Sequence, residues 1–256
     1  MVRITARANH QTSPERRMRS LFISDLHLDA ERPHVVGAFE RYLATEAREA
    51  DALYVLGDLF EVWLGDDHAT PFNDRVKRAL ADVPCRKYLM HGNRDFLMGP
   101  AFCTDTSMEL LDDPTPVDLD GNTWLLLHGD TLCTRDTAYL AAREQLRNPA
   151  FQADFLGRSL PERAAFAASL RAESQAHTSS TEMDIMDVTP EEVTRVLAES
   201  GLTRMIHGHT HRPAVHDVAM PDVSDATRIV LGDWDATGWA LDVVDGTPTL
   251  GSFAIT

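Results

Sequence analysis

Five hydrophobic runs in this chain each end on residues of the kind that bind metals. Leu21-Phe22-Ile23 leads into Asp25-Leu26-His27, and Leu53-Tyr54-Val55-Leu56 into Gly57-Asp58. Tyr88-Leu89-Met90 leads into Gly92-Asn93-Arg94-Asp95, Trp124-Leu125-Leu126-Leu127 into His128-Gly129-Asp130, and Met205-Ile206 into Gly208-His209-Thr210-His211. Short aliphatic and β-branched runs closed by glycine read as buried strands. In an open α/β sheet, ligands bind at the carboxyl ends of the strands. One such motif alone is as readily a turn as a ligand. Five in one context require a fold that gathers their side chains at one edge.

The segments between them alternate. Strands are expected at 21–27, 52–57 and 85–91, with helices at 33–50, where Val36, Phe39 and Leu43 keep helical spacing, and at 71–80. Asp120-Gly121-Asn122 between 117–119 and 123–127 is a hairpin signal. From 134 to 188 no strand-like run occurs. Helices are expected there at 136–147 and 159–175, the second with Ser159 and Glu162 spaced as a capping box. Thr189-Pro190-Glu191-Glu192 opens another helix. Strands follow at 214–219, 228–231, 238–244 and 248–254, the last two joined by Asp245-Gly246. The expected class is α/β: mixed β-sheets layered with helices, plus an inserted helical cap. The core is expected at 20–133 and 189–256, the cap at 134–188, and a polar, disordered tail at 1–19, with Met18 a candidate start.

Composition narrows the function. No apolar run approaches the ~20 residues that span a bilayer. The arginines of 1–19 flank no apolar stretch, so they do not read as a secretory signal. Three cysteines without CxxC spacing are expected to be reduced thiols. A formal charge of −16 repels nucleic acid, and a nuclease is disfavoured. Residues 131–188 carry six basic and eight acidic residues, near balance, so this segment suits an anionic ligand better than the rest. It is also apolar, with Tyr139, Leu146, Phe151, Phe155, Leu156, Phe166 and Leu170.

The candidate ligands are Asp25, His27, Asp58, Asn93, His128, His209 and His211. Imidazole, carboxylate and amide oxygen without thiolate suit Mn²⁺, Fe²⁺ or Zn²⁺. Seven ligands exceed the four of a structural zinc site and fit two ions sharing a carboxylate. Arg94 can fork onto phosphate oxygens. Histidine-207 (His207) either reaches this site or bonds to backbone; His91 reads as a supporting residue, Trp63 as packing, and His10, His34, His68 and His216 as surface.

The order Asp-x-His, Gly-Asp, Gly-Asn-x-Asp/Glu, His, Gly-His-x-His resembles that of the calcineurin-like metallophosphoesterases, over most of the chain. The stretches 22–28, 91–96, 128–133, 185–188 and 207–213 resemble more closely the branch that hydrolyses a lipid-linked UDP-sugar, UDP-2,3-diacylglucosamine, in lipid A biosynthesis. That resemblance implies two Mn²⁺ per chain, one held by Asp25, His27, Asp58 and His211, the other by Asp58, Asn93, His128 and His209. It assigns catalysis to Asp58, Asn93 and Arg94, and substrate contacts to Asn93, Arg94, Asp136, Ser174, Thr178, Thr181 and His209. Arg94 stands where many relatives carry a histidine. The branch often has lysines late in the cap; here 175–181 holds no Lys or Arg, and His177, Thr178 or Thr181 would substitute through hydrogen bonds. The implied reaction is attack on the α-phosphorus, giving UMP and 2,3-diacylglucosamine 1-phosphate. The implied location is the cytoplasmic face of the inner membrane, peripherally bound, with no obligate protein partner. A soluble nucleotide diphosphatase or phosphodiesterase is the alternative. A non-catalytic scaffold would be expected to have lost ligands, and all seven are present.

Overall fold

A computed structural model describes residues 17–180, 185, 187–221 and 225–256, with the backbone alone for 173–180. Eleven strands and seven α-helices are described: β1 Arg19–Ile23, α1 Pro33–Tyr42, β2 Ala52–Leu56, α2 Pro71–Ala81, β3 Arg86–Met90, α3 Pro100–Thr106, β4 Met108–Leu111, β5 Thr115–Leu119 and β6 Asn122–Leu126. Then come α4 Thr137–Leu146, α5 Pro149–Leu156, α6 Leu160–Ser180, α7 Pro190–Ser200, β7 Arg204–His207, β8 Ala214–Val218, β9 Ala226–Val230, β10 Thr237–Val244 and β11 Thr247–Ala254.

The strands form two sheets, ordered β11-β10-β1-β2-β3-β4 and β5-β6-β7-β9-β8. In the first, β1 to β4 run parallel and β10–β11 close one edge as an antiparallel hairpin. In the second, β6, β7 and β9 are parallel and β5 and β8 flank them antiparallel. Strand alternation sends every second side chain to the opposite face. Phe22, Tyr54, Leu56 and Met90 of the first sheet therefore meet Trp124, Leu126, Ile206 and Ile229 of the second in one apolar seam. Leu21, Ile23, Leu53, Val55 and Leu89 point the other way, into a core with Val36, Phe39, Val76, Leu80 and Phe102 of α1, α2 and α3. The outer face of the second sheet packs Leu125 and Met205 on Val193 and Leu197 of α7. Coverage on both faces is why β2 is buried at every position and reads as an unbroken apolar run.

Several elements depart from the sequence reading. Arg19, grouped with the tail by its polarity, opens β1; its guanidinium lies 2.8 Å from Asp242 and 2.6 Å from Glu46. Residues 1–16 lie outside the described residues. The helix beginning at Pro33 changes to a π turn at Leu43–Ala47. α3, β4 and α5 carry too short a pattern to announce themselves. Glu162 Oε2 accepts from both the Ser159 N–H and hydroxyl, so the hydroxyl donates sideways instead of capping. Thr189 precedes α7 but makes no side-chain cap; its hydroxyl oxygen instead accepts from Thr134 at 2.7 Å.

Trp234 fixes the loop after β9 to the helical side of the core. It is fully buried, its ring lies edge-on to Tyr42 and Phe253 at 5.5 and 5.0 Å, and its Nε1–H donates to Trp239 O at 2.9 Å. Truncating a buried tryptophan removes its transfer energy and leaves a cavity. Trp234→Ala is expected to lower unfolding free energy by about 3–5 kcal/mol. Denaturant titration measures this, and a midpoint within error of the parent would show that the loop is held by other contacts.

Candidate metal centre

The five motifs sit just past strand ends: Asp25 and His27 after β1, Asp58 after β2, Asn93 after β3, His128 after β6, His209 and His211 after β7. The first three strands belong to one sheet and the last two to the other. The candidate ligands therefore meet across the seam, at one end of the molecule.

Five of the seven hold left-handed backbone: Asp25 at φ 55°, His27 at 47°, Asp58 at 53°, His209 at 68° and His211 at 54°. Such residues are strained by about 1–3 kcal/mol each and persist only where surrounding bonds over-determine them. Those bonds are present. Asp25 N–H donates to Gly57 O, His27 N–H to Asp58 O and Leu28 N–H to Leu59 O, at 3.1, 3.0 and 2.9 Å, extending β1–β2 pairing beyond both strands. Gly92 and Gly208 permit the closest approaches. A Cβ on Gly92 would overlap the Asp58 carboxylate, and one on Gly208 would overlap the Asp25 carboxylate and the Ser24 hydroxyl.

Each carboxylate is divided in its duties. Asp25 Oδ2 accepts from Ser24 Oγ at 2.5 Å and from the His209 N–H at 2.9 Å. Its Oδ1 is buried with no hydrogen-bond partner, 3.5 Å from His211 Nε2. Asp58 Oδ1 accepts the Arg94 N–H at 2.9 Å, while Oδ2 lies 3.8 Å from His27 Nε2 and 3.9 Å from His128 Nε2. The histidines are oriented likewise. His128 Nδ1–H donates to Leu56 O at 2.9 Å, which turns Nε2 to within 3.2 Å of Asn93 Oδ1. Glu61 Oε2 lies 3.1 Å from His27 Nδ1, and His27 Nε2 is 3.4 Å from His211 Nε2. His209 Nδ1 is 3.1 Å from Asn93 Oδ1. Donor atoms of Asp25, His27 and His211 lie within 4.8 Å of one another, as do those of Asp25, Asp58 and His128.

The electrostatics favour positive charge. Burial opposes ionisation of Asp25, but His211, His128 and His27 together hold its carboxyl well below the usual range. Burial also opposes protonation of His128, yet Asp58, Asp130 and Asp25 push it up to about 9. His211 is raised, against its burial, by Asp25, Asp233 and Asp58. His209 goes the other way: burial and the neighbouring His128 bring it down to about 4. An orphaned carboxylate oxygen, converging imidazoles and a negative local field fit divalent cations. Bound ions would displace the imidazole protons, because only neutral histidine ligates.

Supporting residues emerge that the motifs did not single out. Asp95 accepts the Gly92 and Leu59 N–H groups at 2.9 and 2.7 Å and so ties the loops after β3 and β2 together. Burial and nearby Asp58 push its carboxyl up to about 6. Asp130 Oδ2 accepts from Tyr139 Oη at 2.5 Å and Arg143 Nε at 2.6 Å. Their presence inside the Gly-Asn-x-Asp and His-Gly-Asp motifs was the available signal; Ser24 and Glu61 carried none. His207 is structural: its Nδ1–H donates to Gly208 O at 2.8 Å, its Nε2 accepts from Arg228 at 3.1 Å, and burial with Arg228 holds it down to about 3. His91 bonds to Met98 O at 2.7 Å, and Trp63 is buried against Phe60 and Phe102.

Asn93 and Arg94 face a groove of about 830 Å³ that runs from the centre between the Glu61–Leu64 loop and helices α4, α5 and α6. Its inner lining is apolar, including Phe96, Leu146, Phe151, Phe155, Phe166 and Leu170. Arg94 Nε is buried without a hydrogen-bond partner. Asp136 precedes α4, where Oδ1 caps the Tyr139 N–H at 3.0 Å. The side chains of Ser174, His177 and Thr178, and Thr181 altogether, lie outside the described residues.

Because Asp58 faces histidines from both halves of the cluster, Asp58→Ala is expected to be the most damaging ligand change. Manganese titration of the variant is expected to show lost binding at both positions, and chelator is expected to abolish phosphodiester hydrolysis by the parent. Undiminished hydrolysis in chelator would exclude a metal centre here.

The model of the calcineurin-like phosphoesterase family matches residues 18–213. A UDP-2,3-diacylglucosamine hydrolase of Pseudomonas aeruginosa is 52% identical over 229 residues, covering 88% of this chain and 95% of its own. The protein of the same name from Stutzerimonas stutzeri is 53% identical over 228 residues, covering 87% and 94%. A solved archaeal phosphodiesterase aligns over 92% of this chain and 100% of its own at 14% identity, with a TM-score of 0.47. On the family match, on relatives half identical along nearly the whole length, and on strand-end motifs gathered into one cluster, the chain belongs to the calcineurin-like phosphoesterases.

Proposed function

We propose that this chain hydrolyses UDP-2,3-diacylglucosamine at the α-phosphorus, giving UMP and 2,3-diacylglucosamine 1-phosphate. The observation that carries this reading is the groove. Its volume of about 830 Å³ takes in Asn93 and Arg94, beside the carboxylate–histidine cluster, together with a largely apolar lining from the helical insertion. A polar, charged end joined to a long apolar one suits a substrate that is itself a diphosphate joined to acyl chains. The relatives from Pseudomonas aeruginosa and Stutzerimonas stutzeri are named for that substrate.

Asp25, His27, Asp58 and His211 would hold one ion, and Asp58, Asn93, His128 and His209 the other. Imidazole-rich donors of this kind favour Mn²⁺ over Mg²⁺. The ions would supply Lewis acidity, activating water at neutral pH and neutralising phosphate charge. The chain's residues do the rest. Asp58, tied by the Arg94 N–H, positions the loop that carries Asn93 and Arg94. The Arg94 side chain meets the charge that grows on the α-phosphate as the bond to the leaving group breaks. That leaving group is a phosphate monoester, already a weak base, so an arginine in place of a general-acid histidine is sufficient. Asp136, and Ser174, Thr178 and Thr181 beyond it along the cap, would meet the sugar and head group. The tilt of Tyr139 against His209, ring centroids 5.8 Å apart, walls one side of the site.

The acyl chains would lie in the groove. Each buried methylene contributes ~0.8 kcal/mol, so they would dominate affinity. No described helix is long and apolar enough to cross a membrane. The chain would instead rest on the cytoplasmic face of the inner membrane; Val62, at the groove, is 40% exposed.

Arg94→Ala is expected to lower turnover roughly a hundredfold or more, the effect of removing one donor to developing charge, with a smaller change in KM. A raised KM with intact turnover would make Arg94 a ground-state contact only. The decisive assay compares the diacylated UDP-sugar with its deacylated form, each with and without lipid vesicles. A large preference for the diacylated form and sedimentation with vesicles are expected. Equal kcat/KM on both substrates would favour a soluble nucleotide diphosphatase, and protein that stays in the supernatant would exclude the membrane location.

A further inference from the structure

The groove's helical wall is held to the body by arginines, and their partners belong to the loops that carry the metal motifs. Arg143 Nε lies 2.6 Å from Asp130, two residues after His128. Arg147 Nη2 donates to Gly92 O at 2.8 Å, next to Asn93. Arg163 donates to Leu64 O at 2.8 Å and meets Asp67 at 2.6 Å, in the loop after Asp58. Arg171, on α6, places Nε 3.0 Å from Glu61 Oε1.

The last contact differs from the others. Glu61 is a single carboxylate with two close neighbours: Oε1 is 3.0 Å from Arg171 Nε and Oε2 is 3.1 Å from His27 Nδ1, both nitrogens buried and neither aligned for a hydrogen bond. The His27 Nε2 atom points the other way, toward His211 and Asp58. A carboxylate on the far nitrogen of a ligating histidine fixes its tautomer and ring plane and raises its basicity. Here the same carboxylate also receives the helix that walls the groove. Its side chain is only 15% exposed, which shelters it from screening.

We propose that Glu61 is a positioning residue that couples the metal centre to α6. With a cation held at its Nε2, His27 would present a stronger Nδ1–H donor, and the Glu61 carboxylate 3.1 Å away would turn into line with it. That orientation presents Oε1 to Arg171. Occupancy of the centre thereby favours the docked position of α6, and docking favours occupancy by the same factor, since coupling between two sites is reciprocal. The fully walled groove would thus be favoured further when the centre is occupied. This rests on the dinuclear reading above.

The test titrates Mn²⁺ into the metal-free full-length chain by calorimetry and follows hydrogen exchange of residues 160–172 with and without the metal. Glu61→Gln keeps the shape and removes the charge; its Mn²⁺ affinity is expected to fall about tenfold or more. Arg171→Gln leaves His27 and Glu61 untouched. Its affinity is expected to fall by roughly two- to fivefold, as for a partly exposed ion pair, and metal-dependent protection of α6 is expected to vanish in both variants. Arg171 is 42% exposed, so its variant carries the test even if Glu61→Gln fails to fold. Parental affinity together with parental protection in Arg171→Gln would overturn the coupling and leave Glu61 as a support for His27 alone. A parent chain that binds no Mn²⁺ would overturn the metal reading beneath it.

Discussion

Asp25 and Asp58 are each anchored through one oxygen and free at the other, and the end of the two sheets is arranged to permit this. Each anchor includes a backbone donor: the His209 N–H for Asp25, alongside the Ser24 hydroxyl, and the Arg94 N–H for Asp58. A backbone N–H reaches a neighbouring carboxylate only when the intervening chain comes unusually close, and glycine at 92 and 208 provides that approach. The free oxygens then face imidazoles whose far nitrogens meet oxygens of their own: His128 is hydrogen-bonded to Leu56 O, and His27 lies 3.1 Å from Glu61. Left-handed backbone at five of the seven candidate positions follows from the same requirement. The side chains must turn off the strand direction within one or two residues and point back over the seam.

Much of this is legible in the sequence itself. The apolar runs ended by Asp-x-His, Gly-Asp and Gly-His-x-His announced parallel strands with polar ends, because strands covered on both faces have no polar alternation to hide in. Hairpins at Asp120-Gly121 and Asp245-Gly246 were legible because left-handed turn positions select those residues; Asp120 and Asp245 stand at φ 56° and 48°. The elements that escaped notice are short or unpatterned. β4 offers only four residues, and α3, with seven, falls short of two helical turns. The supporting acids escaped for a different reason. The role of Glu61 is set by where Arg171 arrives, more than a hundred residues later, and no local pattern records that meeting.

The helical insertion illustrates how one composition supports two readings. Its near balance of charge, in a chain of net charge −16, suggested a surface for an anion. Arg143, Arg147, Arg163 and Arg171 instead face Asp130, Gly92 O, Asp67 and Glu61, and Arg158 pairs with Asp154 within α5 and its C-terminal turn. The positive charge of the insertion binds it to the acidic body. What remains facing the groove is predominantly apolar, with Arg94, from the loop after β3, supplying a cation beside the carboxylate–histidine cluster.

The division of the centre between two sheets has a consequence for how its apolar seam should be regarded. Asp25, His27, Asp58 and Asn93 ride on one sheet, His128, His209 and His211 on the other. Their spacing is therefore set by the thickness of the layer formed by Phe22, Tyr54, Met90, Trp124 and Ile206. Cores tolerate volume-conserving exchanges with modest loss of stability, whereas reacting groups tolerate displacements of only about half an ångström. Side chains deep in the seam, touching neither ion nor ligand, thus act as the spacer of the instrument. Variation among them would be felt first as altered turnover in a protein that still melts normally.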